Sequence, residues 1–126
     1  MARRPSFLSL FSGCGGLDLG FEQAGFKGLG AFDSDPAAIA VHNAALTTPG
    51  EICDLTLVTN RVVEQRPDVV IAGPPCQGFS TLGKRRVDDP RNSLIVTGAR
   101  LAVAHQPRVV VLENVSGAMS GEHARY

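Results

Sequence analysis

The chain has no tryptophan, a single tyrosine and only three cysteines, and its 12 lysines and arginines are balanced by 12 acidic residues. Each shortfall excludes something. A formal net charge of zero offers no global attraction for a polyanion, so a nucleic-acid partner has to be argued from local charge. Cys14, Cys53 and Cys76 are odd in number and far apart, with no C-x-x-C pair. That spacing excludes a disulfide scaffold and points to reduced thiols in a cytoplasmic protein. His42, His105 and His123 are scattered, so no metal is expected. The H-x-E and P-C-x-x-C signatures of zinc deaminases are missing as well. No run approaches the roughly 18 apolar residues that span a bilayer, so no membrane partner is expected. The opening "MARRPSFLSLFSGCGGLD" has a twin arginine, but the apolar stretch behind it is only about five residues long and runs into glycines and Asp18, unlike an export signal.

What is present is an ordinary globular composition: 126 residues, 44% hydrophobic and 19% charged, enough for one domain. Short apolar runs alternate with helix-like segments. "SFLSLFS" (6–12), "DVVIAG" (68–73) and "RVVVLENV" (108–115) read as buried strands, with weaker strands at "GLGAFD" (28–33) and "GEICDLT" (50–56). Leu17, Phe21 and Ala24 fall at i, i+4 and i+7 ahead of Gly25 and predict an apolar helix face. Asp35-Pro36 supplies an N-cap and an N1 proline for a second helix. A short third helix is expected over 56–66, closed by Pro67, and a fourth from about 92 to 105 with Leu94, Ile95, Leu101 and Ala102 on one face. Continuous apolar strands joined by helices imply right-handed crossovers and a parallel sheet covered on both faces, an α/β class. The one long polar loop is "PPCQGFSTLGKRRVDDPRN" (74–92); loops of that size inside a compact domain tend to be functional or disordered.

Three stretches carry chemistry. "FSGCGGLDLG" (11–20) places glycines between a strand and a helix, which permits a tight turn and lets a ligand approach the backbone and the helix N-terminus. Asp33 lies twenty residues after Gly13, at the end of the second strand, where a carboxylate commonly holds ribose hydroxyls. The spacing does not choose between a dinucleotide and S-adenosylmethionine. The pattern G-x-G-G, rather than G-x-G-x-x-G, and the lack of a P-loop lysine favour a ligand with an adenosine and a carboxylate over one with phosphates. The second stretch, "GPPCQGFS" (73–80), pushes Cys76 past the end of a strand into a rigid turn, as a nucleophile rather than a packed thiol would be placed. The third puts Glu113 at the end of the last strand, at the same sheet edge as Cys76.

Together these stretches resemble the cytosine-C5 DNA methyltransferase family, specifically the N-terminal part of its catalytic domain. "FSGCGGLDLGFEQAGF" is similar to its cofactor motif, "GPPCQGFS" to its catalytic loop, "ENV" to its glutamate motif, and "GKRRVDDPRNSL" to the segment after the nucleophile; they occur in the family's order and cover nearly the whole chain. The resemblance implies a Rossmann-like, doubly wound parallel sheet of the S-adenosylmethionine-dependent methyltransferase type, incomplete at its C-terminus. It implies S-adenosylmethionine as cofactor and double-stranded DNA with a flipped cytosine as partner. Cys76 would attack C6 of the cytosine and Glu113 would contact N3 and the exocyclic amine. Phe11 would stack on adenine, Gly13, Gly15 and Gly16 would approach the methionine part, Asp33 would bind ribose and Asp54 would accept from the adenine amine. Pro75 and Leu94 would line the pocket. Ser34 departs from members that carry a bulky stacking residue after the ribose acid. Gln77, Ser80 and the basic run Lys84, Arg85 and Arg86 would contact nucleic acid.

The same resemblance implies a domain about twice this length, with an arginine motif, a target-recognition region and a closing cofactor motif that residues 1–126 lack. A split enzyme completed by a C-terminal half or second subunit, a truncated chain and a degenerate binding relative are all compatible with that. RNA cytosine methylation on a similar scaffold and a non-catalytic cofactor-binding subunit remain the alternatives by class.

Overall fold

The structure is a computed structural model in which residues 2–75 and 94–114 are described. In chain order they form β1 (Ser6–Leu10), α1 (Gly16–Gln23), β2 (Lys27–Asp33), α2 (Pro36–Ala45), β3 (Gly50–Ile52), a 3-10 turn (Leu55–Leu57), β4 (Val69–Ala72), α3 (Leu94–Ala104) and β5 (Val109–Leu112). The five strands make one sheet in the order β3-β2-β1-β4-β5, and every pairing is parallel. The chain runs outward from β1 to β3, then crosses back to place β4 against the other side of β1. That reversal opens a crevice beyond the carboxyl ends of β1 and β4, the usual ligand position in such sheets.

Alternation along β1 and β4 divides the core. Leu8, Leu10, Val70 and Ala72 face one side and pack with Leu101 and Ala102 of α3 and with Leu55. Phe7, Val69 and Ile71 face the other, where Phe21 of α1 and Phe26 cover them. The sheet is therefore wound on both faces, as the apolar runs require. The Asp35 side chain accepts the Ala37 N–H, with Pro36 at the first helical position, so α2 starts where its cap dictates. At the amino end of the sheet Asp68 takes both Arg3 guanidinium nitrogens (2.9 and 2.8 Å) and the Ser6 N–H. Those bonds, the Arg3 side chain foremost, hold its carboxyl well below the usual range.

Three expectations need correction. Residues 56–66 are not a helix: after the single 3-10 turn the backbone is irregular, and Val58, Val62 and Val63 still reach the core cluster from it. In α1 the buried residue is Asp18, while Leu17 is 41% exposed and Ala24 is exposed. A hydrogen-bond partner on α2, His42 at 2.8 Å from Asp18, holds the polar side of that helix inward. Finally, among the described residues β5 is an edge strand with Val109, Val110 and Leu112 all exposed, not a strand buried on both faces.

Candidate active site

A cleft of about 480 Å³ opens at the carboxyl ends of β1 and β4. Its walls include Phe11, Ser12 and Gly13 from the turn after β1, Gly73 after β4, and Glu113 after β5. The turn is built from left-handed backbone: Phe11 at φ 54°, Gly13 at 56° and Gly15 at 92°. Phe11 adopts this region at a cost of roughly 1–2 kcal/mol. The geometry brings its ring over Gly98 of α3, where a Cβ would lie 3.4 Å from Phe11 Cε2. Gly15 caps α1 without a side-chain partner, so the first N–H groups of that helix are left for a ligand with negative charge.

Asp33 is half-buried and fastens the turn to β2. Its Oδ2 accepts the Gly13 N–H at 2.8 Å and its Oδ1 the Asp35 N–H at 2.9 Å. Each oxygen retains acceptor capacity for a hydroxyl. Asp54 lies beyond the end of β3, exposed. Its Oδ1 accepts the Thr56 hydroxyl at 2.6 Å and the Thr56 N–H at 3.0 Å. These two bonds lower its pKa, so it stands as a carboxylate. Its other oxygen makes no bond among the described residues. Gly13 and Gly16 have open space where a Cβ would be, whereas Gly15 is filled by α2: a Cβ there would overlap Leu46 and lie 2.5 Å from His42 Cδ2. Ser34 is exposed next to Asp33, and Leu94, half-buried, opens α3; of the expected cofactor residues only Phe11 and Gly13 line the cleft, and Gly15, Gly16, Asp33, Ser34, Asp54, Pro75 and Leu94 do not.

On the catalytic side, Glu113 is exposed and sits at the rim of the cleft, with Oε2 3.5 Å from the position of a Gly73 Cβ. A Cβ at Gly73 would make ordinary contact with this carboxylate and, at 3.9 Å, with the Phe11 carbonyl, so Gly73 lies between the two walls of the cleft. Pro74 is buried and Pro75 half-buried. Cys76, Gln77, Ser80, Lys84, Arg85 and Arg86 lie outside the described residues. The approach to Cys76 is nevertheless anchored: Asn114 donates its side-chain N–H to the Pro74 carbonyl at 3.3 Å. Sequence reasoning missed that contact, although "ENV" and "GPPC" both pointed to this edge. It also missed Ser9 and Asp18, two buried polar residues that face the cleft floor. A serine inside an apolar strand run was the available signal.

The strand order and the glycine turn between β1 and α1 define a class: an α/β protein with a doubly wound parallel sheet and a crevice at its switch point, where such sheets bind their ligands. A profile of the C-5 cytosine-specific DNA methylase family matches residues 5–126, and the chain belongs to that family. It is 40% identical over 131 aligned residues to the type II methyltransferase M.XorII of Xanthomonas oryzae pv. oryzae, covering 98% of this chain and 31% of that protein. It is also 40% identical to the type II methyltransferase M.AquIA of Picosynechococcus, covering 87% of this chain and 48% of that one. Among solved structures, a prophage-encoded E. coli protein described as a DNA modification methyltransferase superposes with a TM-score of 0.80 at 33% identity, covering 96% of this chain and 35% of the other. The chain thus spans from under a third to about half the length of these relatives.

Proposed function

We propose that residues 1–126 are the cofactor-binding and catalytic-loop half of a cytoplasmic DNA cytosine-5 methyltransferase of the restriction–modification kind. One observation carries the reading: the cleft at the switch point has a floor that includes Phe11 and Gly13 of the glycine turn, with Asp33 bonded to the Gly13 N–H, and a far wall at Glu113 beside the anchored approach to Cys76. S-adenosylmethionine fits this floor, and when bound it supplies an electrophilic methyl carbon on a sulfonium. The N-terminus of α1 receives its carboxylate, Asp33 the ribose hydroxyls, and the free Asp54 oxygen the adenine amine. Phe11 packs against the adenine.

On the substrate side, Cys76 as thiolate adds to C6 of a flipped cytosine, and the electron pair of the C5–C6 bond moves to C5. Glu113, carrying a proton on the oxygen that faces N3, would donate it to N3 and accept from the exocyclic amine with its other oxygen, offsetting the negative charge that develops on the ring. C5 would accept the methyl carbon as its bond to the sulfonium breaks and S-adenosylhomocysteine leaves, and C5 would then give up its proton to solvent water. The electron pair returns to the ring and the thiolate leaves. The stiff Pro74-Pro75 pair, with Asn114 on the Pro74 carbonyl, presets the thiol's approach. Gln77, Ser80 and the run Lys84, Arg85 and Arg86 serve the nucleic acid, the basic residues through phosphates. Duplex DNA is the favoured substrate over tRNA because the matched relatives are type II methyltransferases.

Few phosphates can be neutralised by so short a basic run, so the 126-residue chain alone is expected to transfer no measurable methyl group. A C-terminal half or second subunit that covers the exposed β5 edge is expected to restore activity. The test is covalent trapping on DNA carrying 5-fluorocytosine, using the completed enzyme with S-adenosylmethionine. Cys76→Ser should abolish the adduct while Cys14→Ser and Cys53→Ser retain it. Trapping that survives Cys76→Ser refutes the assignment.

A further inference from the structure

Beneath the glycine turn lies a buried polar chain that the proposed chemistry does not use. Ser9 Oγ donates to Asp18 Oδ1 at 2.8 Å, and His42 Nε2 stands 2.8 Å from Asp18 Oδ2. Ser9, Asp18 and His42 are 2%, 1% and 0% exposed. The carboxylate can only accept, so the ring donates from Nε2. Its Nδ1 is the buried side-chain atom left without a partner among the described residues. The ring is also wedged between two glycines from different elements. A Cβ at Gly15 would come within 2.5 Å of His42 Cδ2, and a Cβ at Gly50 within 3.2 Å of Nδ1.

The next residue completes the arrangement. Asn43 donates to the Gly50 carbonyl at 3.1 Å and accepts the Gly50 N–H at 2.8 Å. The His42-Asn43 pair on α2 therefore grips α1 with one side chain and β3 with the other. α1 begins at the glycine turn, and β3 leads directly to Asp54. The two ends of the proposed cofactor floor are joined through one dipeptide that does not line the cleft.

We propose that His42 is a positioning residue that sets the glycine turn relative to the β3–Asp54 edge through its Nε2–H bond to Asp18, and so tunes affinity for the adenosine-type cofactor. The inference rests on the cofactor reading above. If the donor at Nε2 matters, glutamine should substitute for it, because its terminal amide nitrogen reaches about as far as Nε2. Asparagine should not, because its amide stops near the level of Nδ1. Leucine fills the space but offers no donor and leaves Asp18 with one partner fewer. A residue that only fills volume would give the opposite order, leucine tolerated and glutamine not.

The experiment uses the full chain and three variants, His42→Gln, His42→Asn and His42→Leu. S-adenosylhomocysteine binding is followed by ligand-observed NMR, which registers weak affinities. Amide hydrogen exchange of the ligand-free proteins is measured in parallel. The expected result is affinity within about threefold of the unsubstituted chain for the glutamine variant. Losses of about tenfold or more are expected for the other two, the scale of one hydrogen bond to a charged group. Exchange should quicken at residues 13–18 and 50–54 in the leucine variant and stay near normal in the glutamine variant. Equal affinities across folded variants, or quickened exchange spread evenly through the chain, would overturn the positioning role while leaving the cofactor reading intact. Failure of the unsubstituted chain to bind at all would overturn the cofactor reading, and the exchange pattern would still decide whether His42 couples the two elements. A variant too unstable for binding is read by exchange at low temperature, where unchanged protection at residues 13–18 would count against the proposal.

Discussion

His105 closes α3 onto the irregular segment that replaces the expected third helix. It is 1% exposed. Its Nδ1 lies 2.7 Å from the Leu101 carbonyl and its Nε2 2.9 Å from the Val62 nitrogen. A carbonyl on one side and an N–H on the other require the neutral ring with its proton on Nδ1. Burial lowers the pKa and Arg61 adds to the effect, against the opposing pull of the Leu101 carbonyl. The folded-state value is thus below the unfolded value of about 6.5. Its contribution is therefore complete above that pH and is lost as pH falls from there through the folded-state value. Leucine in its place would keep much of the volume but strand the Val62 N–H, at about 1–3 kcal/mol. A loss of ~2 kcal/mol corresponds to a fall in Tm of roughly 6–10 °C for a domain of this size. His105→Gln can return an acceptor to Val62 without titrating near neutrality. Urea and thermal denaturation at pH 7.5 and pH 5 should show a wide gap between the unsubstituted chain and His105→Leu that narrows at the lower pH. The glutamine variant should lie between them at pH 7.5. A gap of the same size at both pH values would refute the linkage, and no gap at pH 7.5 would refute the bonds themselves.

The glycine turn and the thiols give further checks. Gly15→Ala forces a Cβ into Leu46 and His42 at φ 92° and should cost roughly 2–4 kcal/mol. Gly13→Ala meets open space and should cost only about 1 kcal/mol of backbone strain; urea unfolding showing the reverse order would contradict the packing described. Cys53 is half-buried, its thiol pushed up by burial and then by Asp54 and Glu51, whereas Cys14 is exposed. Peptide mapping after brief iodoacetamide treatment at pH 8 should find Cys14 labelled well before Cys53, and the opposite order would count against the arrangement after β3.

Much of the sheet was legible because its strands are short apolar runs with punctuation at their ends, and α2 because Asp35-Pro36 announces a cap. What failed did so for tertiary reasons. The stretch 56–66 carries valines at Val58, Val62 and Val63 that reach the core from non-helical backbone, held partly by the Val62–His105 bond. Local spacing there imitates a helix, and the competing long-range contact is invisible to it. Leu17, Phe21 and Ala24 form a helical stripe on paper, but the Asp18–His42 pair, 24 residues apart, decides which side of α1 turns inward. Among the described residues β5 pairs only with β4, an edge position that its apolar run does not disclose. At the candidate site, the motif residues mark the right sheet edge. The couplings behind them, Asn114 to Pro74 and Asp33 to Gly13, depend on pairings between distant segments that a linear pattern does not encode.

The central claim is that the crevice beyond β1 and β4 holds S-adenosylmethionine. Its most direct test is a titration of the isotope-labelled chain with S-adenosylhomocysteine, followed amide by amide. The account predicts shifts gathered at Gly13, Gly16, Asp33 and Asp54 and at Gly73 on the opposite wall, all weakened in Asp33→Ala. In that variant the Gly13 N–H also loses its acceptor. Shifts confined to the opposite end of the sheet around Arg3, Arg66 and Arg108, or equal binding by Asp33→Ala, would contradict it.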